Sequence, residues 1–116
     1  MEQYRILVVE DDPVISVHLE AIITQAVAAE VIISRSAAEA KSALVAPLDF
    51  AFLDVDVLDG TTYGFASELD ARAIPFAFLS ASDRGNVPKP LRSAPFVAKP
   101  FTVGDIVGLL RAAGKG

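Results

Sequence analysis

The sequence predicts an α/β domain built on a doubly wound parallel sheet, and three observations carry that prediction. Short apolar runs recur without polar alternation, the pattern of strands buried on both faces of a sheet. Segments with helical apolar spacing lie between those runs. Capping chemistry marks where the helices begin.

In chain order, the first strand is read at Ile6 to Val9. Asp12-Pro13 follows as an N-cap with proline at the first helical position, where a missing N–H does no harm. Ile15, Leu19, Ile22 and Ala26 then form one apolar stripe at i, i+4, i+7 and i+11. A short second strand is read at Val31 to Ile33, and Ser36 with Glu39 makes a capping box for the second helix. Phe50 to Leu53 and Phe76 to Leu79 are the third and fourth strands. From Ser82 to Pro95 the rhythm breaks. That stretch holds Gly85, Pro88, Pro90 and Pro95, so a loop or at most one helical turn is expected where a fourth helix would sit. Loops of this length are uncommon in compact domains, which marks it as functional or mobile. Phe96 to Ala98 is the fifth strand, and Thr102 with Asp105 opens a last helix whose apolar positions are Val103, Ile106, Val107 and Leu110.

Composition narrows the function classes. The 116 residues make one domain, 1–116, with no room for a second or for an output domain. At 53% hydrophobic and 22% charged residues the chain is too apolar to be disordered. Its net charge is −5 and its ten basic residues form no run, which argues against nucleic acid or an anionic membrane as partner. With no cysteine, disulfides and thiolate metal sites are excluded. The charged N-terminus runs into an apolar stretch too short for a signal peptide or a membrane span, so a soluble, cytoplasmic protein is expected.

In open α/β sheets the ligand site lies beyond the carboxyl ends of the strands. Glu10, Asp11 and Asp12 follow the first strand, and Asp54 and Asp56 follow the third. The fourth ends at Ser80, and Lys99-Pro100 follows the fifth. Converging carboxylates repel, and a hard divalent cation relieves that cost; Mg2+ needs only one or two direct carboxylates. A nearby Asp can attack phosphorus, a lysine can neutralise the phosphoryl oxygens, and a hydroxyl can hydrogen-bond one of them. Taken alone, each residue has a structural explanation: Asp12 as a helix cap, Ser80 as a strand end, Lys99 as a solvated cation. It is their joint appearance, each type at its own strand end, that points to phosphoryl transfer.

The pieces Ile6-Leu7-Val8-Val9-Glu10-Asp11-Asp12, Phe52-Leu53-Asp54-Val55-Asp56, Phe78-Leu79-Ser80-Ala81 and Lys99-Pro100-Phe101 together resemble the receiver domains of two-component response regulators. The resemblance covers nearly the whole chain. It implies a flavodoxin-like five-stranded sheet in the order 2-1-3-4-5, with Asp54 as phosphoacceptor. It makes Glu10 and Asp11 the acidic pair that holds Mg2+, with Asp11 the direct ligand and the backbone carbonyl of Asp56 another. Ser80 stands for the switch hydroxyl, Lys99 for the family's lysine, Phe96 for the rotating aromatic, and the Lys99-Pro100 bond is expected to be cis. The implied partners are a histidine kinase or histidine phosphotransfer protein and a downstream protein of unknown identity. The domain would act by protein contact or as a phosphate relay or sink, as a monomer or weak homodimer, and would not itself be an enzyme.

Three features depart from the family pattern. The usual proline is missing at Leu58, with Asp59-Gly60 coming early; Asp56 adds a charge beside the metal; and the fourth helix is shortened or absent. With Ile74-Pro75-Phe76-Ala77-Phe78, these resemble a single-domain subgroup common in alphaproteobacteria that carries a Phe-Ala-Thr-Gly-Tyr-like motif, which Phe78-Leu79-Ser80-Ala81 replaces here. Without a proper fourth helix, the Ser82 to Pro95 loop becomes the element expected to shift on phosphorylation. Asp56 and Ser82 flank the path of an attacking water and are expected to set the phosphoryl lifetime.

Two other readings use the same residues. Asp54-Val55-Asp56 with Asp59-Gly60-Thr61 resembles the opening motif of haloacid-dehalogenase-type phosphatases, but there the nucleophile strand comes early and a further acidic pair comes late. A pseudo-receiver would keep the fold without being phosphorylated, and the intact set of Glu10, Asp11, Asp54, Ser80 and Lys99 argues against it. His18, the only histidine, lies off the apolar stripe of the first helix and reads as a surface residue.

Overall fold

The computed structural model describes residues 3–81 and 84–115. Strands β1 (Tyr4–Val9), β2 (Ala29–Ser34) and β3 (Phe50–Asp54) alternate with helices α1 (Pro13–Ala26) and α2 (Ala37–Ala40), the latter continuing as a 3-10 segment over Lys41–Val45. A two-rung hairpin of β4 (Asp56–Val57) and β5 (Gly60–Thr61) precedes α3 (Tyr63–Ala71). Then come β6 (Phe76–Ser80), 3-10 turns at Arg84–Asn86 and Lys89–Leu91, β7 (Phe96–Ala98) and α4 (Val103–Ala112). The five long strands form a parallel sheet in the order β2-β1-β3-β6-β7. With the hairpin set aside, this is the expected 2-1-3-4-5 arrangement.

Strand side chains alternate between the two faces of the sheet, and the core divides accordingly. Ile6, Val8, Phe50, Phe52, Ala77 and Leu79 pack against Leu19, Ile22 and Ile23 of α1 and Ile106 and Leu110 of α4. Leu7, Val9, Ala51, Leu53, Phe76 and Phe78 pack on the other side against Ala40, Phe65 and Leu69, closed by Val87 and Leu91. Each fully buried Phe or Leu contributes about 1.5–3 kcal/mol, so these two layers hold the strands in register. Register then aligns the carboxyl ends: Val9 lies opposite Ser34 and Leu53, Asp54 opposite Leu79, and Ser80 opposite Ala98. Residues that follow different strands in sequence are thereby brought to one edge.

The helix starts form largely as the capping chemistry predicts. Asp12 Oδ1 accepts from the N–H groups of Val14 (2.9 Å) and Ile15 (3.4 Å), ahead of Pro13. Thr102 and Asp105 make a complete capping box. At α2 only half of the expected box is present: Ser36 accepts from Glu39 N–H at 3.0 Å, but the Glu39 carboxylate faces Arg35 N–H at 3.5 Å. The α1 stripe also differs from the expected one. Ser16 and Ile23 are buried whereas Ala26 is exposed, because α1 packs against both the sheet and α4 and so buries a wider face than a single stripe. Between Ser80 and β7 no α-helix occurs among the described residues, in line with the prolines there. None of the described helices is long and apolar enough to cross a membrane.

Candidate phosphoacceptor site

At the carboxyl edge, β1 delivers Glu10 and Asp11, and β3 delivers Asp54. One carboxylate oxygen from each lies within 4.8 Å of the others. Glu10 and Asp54 are only 3% and 8% exposed, so water does little to screen their repulsion. Lys99, carried in by the end of β7, is the compensating charge: its Nζ donates to Glu10 Oε1 at 2.6 Å and lies 3.4 Å from Asp54 Oδ2. The other Glu10 oxygen accepts from Asp12 N–H at 3.1 Å. Both oxygens of Glu10 are thus engaged.

The electrostatics follow from this crowding. Burial, and next the Glu10 charge, raise the Asp54 pKa from 3.8 to about 7, against the pull of Lys99. For Lys99 burial is the largest influence and acts downward, but the hydrogen bond to Glu10 and the charges of Asp54 and Glu10 outweigh it, and its pKa is raised. An all-oxygen set of three carboxylates with so strained a charge balance fits a hard divalent cation such as Mg2+ and suits no soft metal.

No protein-family model matches the chain, and no curated protein matches it. Solved structures do. SdrG from Sphingomonas melonis, determined in solution, shares 30% identity over 97% of this chain and 98% of that one, with a TM-score of 0.79. The non-phosphorylated receiver domain of HemR from Leptospira biflexa shares 26% identity over 96% and 94% of the two chains, also at 0.79. The chain belongs to the response regulator receiver domains. The response regulator TrrA from Thermotoga maritima, solved in complex with Mg(2+)-BeF, is alike in fold at 20% identity over 96% and 99% of the two chains, with a TM-score of 0.83.

The other residues singled out from the receiver's sequence can now be located. Ser80 is buried at the end of β6, and its carbonyl accepts from Lys99 N–H at 2.8 Å. Phe96 begins β7 opposite Phe78 and is half-buried against the α3-side core. The Lys99-Pro100 peptide bond is cis, as expected. Asp56 exposes its side chain and opposes Thr61 in the hairpin. Since Thr62 N–H bonds Val55 carbonyl one rung earlier, at 2.9 Å, the alternation of an antiparallel ladder turns the Asp56 carbonyl away from Thr61. His18 is exposed on α1 and stacks on Phe101, ring centroids 5.7 Å apart. Ser82 lies outside the described residues.

One positioning residue carried no signal in the sequence. Thr62 is fully buried, and its hydroxyl donates to the backbone carbonyl of Asp54 at 2.8 Å. It closes the loop that begins at the phosphoacceptor candidate. A threonine beside another threonine in a turn-rich stretch gives no reason to expect this.

Proposed function

We propose that this receiver accepts a phosphoryl group on Asp54 from the phosphohistidine of a histidine kinase or histidine phosphotransfer protein, in a site loaded with Mg2+. The observation that carries the reading is the convergence of the Glu10, Asp11 and Asp54 carboxylates with Lys99 Nζ set between Glu10 and Asp54. The Mg(2+)-BeF bound by TrrA, a protein of the same fold, supports it. Asp11, Asp54 and the backbone carbonyl of Asp56 would be the direct ligands, with the doubly engaged Glu10 behind them. Bound Mg2+ supplies positive charge that screens the carboxylates and the phosphoryl oxygens.

An ionised Asp54 oxygen attacks phosphorus while the bond from phosphorus to the donor's imidazole nitrogen breaks. The bonding pair returns to the imidazole, which takes a proton from solvent. Lys99 shifts its ammonium from Glu10 to a phosphoryl oxygen, and the Ser80 hydroxyl turns to another. Phe96 follows Ser80 inward, and the two 3-10 turns that replace a fourth helix pass the change to a downstream protein, or the domain serves as a relay or sink. The order of the chain, with the acidic pair ahead of the strand that carries Asp54, favours the receiver over the phosphatase reading.

Incubation with acetyl phosphate, with and without Mg2+, tests the proposal by intact mass. Wild type gains one phosphoryl group only with Mg2+, and Asp54→Ala gains none. A folded wild type that stays unmodified makes the chain a pseudo-receiver.

A further inference from the structure

The loop between β3 and α3 has no proline to stiffen it; Thr62 closes its base, but a ladder of two rungs gives the tip beyond it little support of its own. Val57 opposes Gly60, so Leu58 and Asp59 form the turn, and Gly60 at φ 121° takes a backbone conformation that glycine adopts without strain. From that turn the Asp59 carboxylate reaches the start of α2. Its Oδ1 accepts from Ala37 N–H at 2.9 Å and its Oδ2 from Ala38 N–H at 3.1 Å. Leu58 N–H adds a bond to the Arg35 carbonyl at 3.3 Å. Ala37 and Ala38 are first-turn donors with no partner inside their own helix, so Asp59 caps α2 from 21 and 22 residues away, while Ser36 caps Glu39 N–H locally.

We propose that Asp59 is a positioning residue for the cation site. By clamping the tip of the loop to α2 it holds the hairpin, and with it the Asp56 carbonyl, in the arrangement that the Glu10–Asp11–Asp54 cluster requires. This rests on the Mg2+ reading above. With the tip released, the competent arrangement is only fractionally populated and the apparent affinity falls by that fraction. The linkage is reciprocal: a cation that holds the hairpin also secures the bonds to Ala37 and Ala38, which belong to a different element from every proposed ligand.

Mg2+ titration by calorimetry, paired with amide exchange at Ala37 and Ala38, tests the clamp. Asp59→Ala is expected to weaken Mg2+ binding by roughly tenfold, and Asp59→Asn, which keeps one acceptor oxygen, by less. Mg2+ slows exchange at Ala37 and Ala38 in wild type but not in Asp59→Ala. Ser36→Ala, which removes the local cap of the same helix, leaves Mg2+ affinity unchanged. Should Asp59→Ala fail to fold, Asp59→Asn is read in the same way. Equal Mg2+ affinity in wild type and the folded Asp59 variants overturns the clamp and leaves the phosphoacceptor reading standing. A loss in Ser36→Ala as large as in Asp59→Ala also overturns it, since helix stability would then account for both. A wild type with no affinity for Mg2+ overturns both readings.

Discussion

Ionising Asp54 without a cation sets a second buried carboxylate beside Glu10, and burial with that neighbour holds its pKa at about 7. In the unfolded chain the same group titrates near 3.8. Between those values the folded protein binds the extra proton, so the stability associated with a protonated Asp54 is full below about pH 3.8 and is lost as pH rises through about 7. Asparagine mimics the neutral form. Asp54→Asn in metal-free protein should therefore gain on wild type as pH rises, its advantage larger at pH 8 than at pH 5 by on the order of 2 kcal/mol, read from thermal melts. Equal shifts at both pH values would contradict this. Thr62→Val, which takes the buried hydroxyl from the Asp54 carbonyl, should cost about 1–2 kcal/mol in urea unfolding, with Thr62→Ser recovering most of it. At this scale the sequence disclosed Glu10, Asp11, Asp54 and Lys99 because they stand at strand ends. Thr62 and Asp59 escaped because their partners are backbone groups, set by a loop path that no residue pattern encodes.

Elements with strong local chemistry formed where the residues indicated. The buried strands, the Asp12-Pro13 start of α1 and the Thr102–Asp105 box of α4 are instances. What depended on distant packing was harder to read. Ile23 rather than Ala26 is buried on α1 because two surfaces cover that helix, and α2 tightens into 3-10 geometry after one turn. The segment 84–95 shows both sides of this. Its prolines rule out a helix, as the sequence indicates, yet Val87 and Leu91 are 2% and 4% exposed and close the α3-side core. Leu91→Ala should therefore cost about 2–5 kcal/mol, measured by denaturant unfolding, where a dangling loop would show almost no effect.

Across the whole molecule, parallel register and two apolar layers fix four strand ends at one edge, and the fold accepts a charge conflict there that a bound cation would relieve. Mg2+ at a hundred times its Kd should raise stability by about 2.7 kcal/mol, and the gain should vanish in Asp54→Ala if Asp54 is a ligand. Because binding needs the ionised carboxylate, Mg2+ affinity should rise with pH through about 7, read by calorimetry across that range. The central claim is that one of these acids carries the phosphoryl group. Borohydride reduces an acyl phosphate on aspartate to homoserine, so reduction of the acetyl phosphate-treated protein followed by peptide mass mapping identifies the acceptor. Homoserine at position 54 alone is the predicted result; homoserine at position 11 or 56, or at none, would contradict the account.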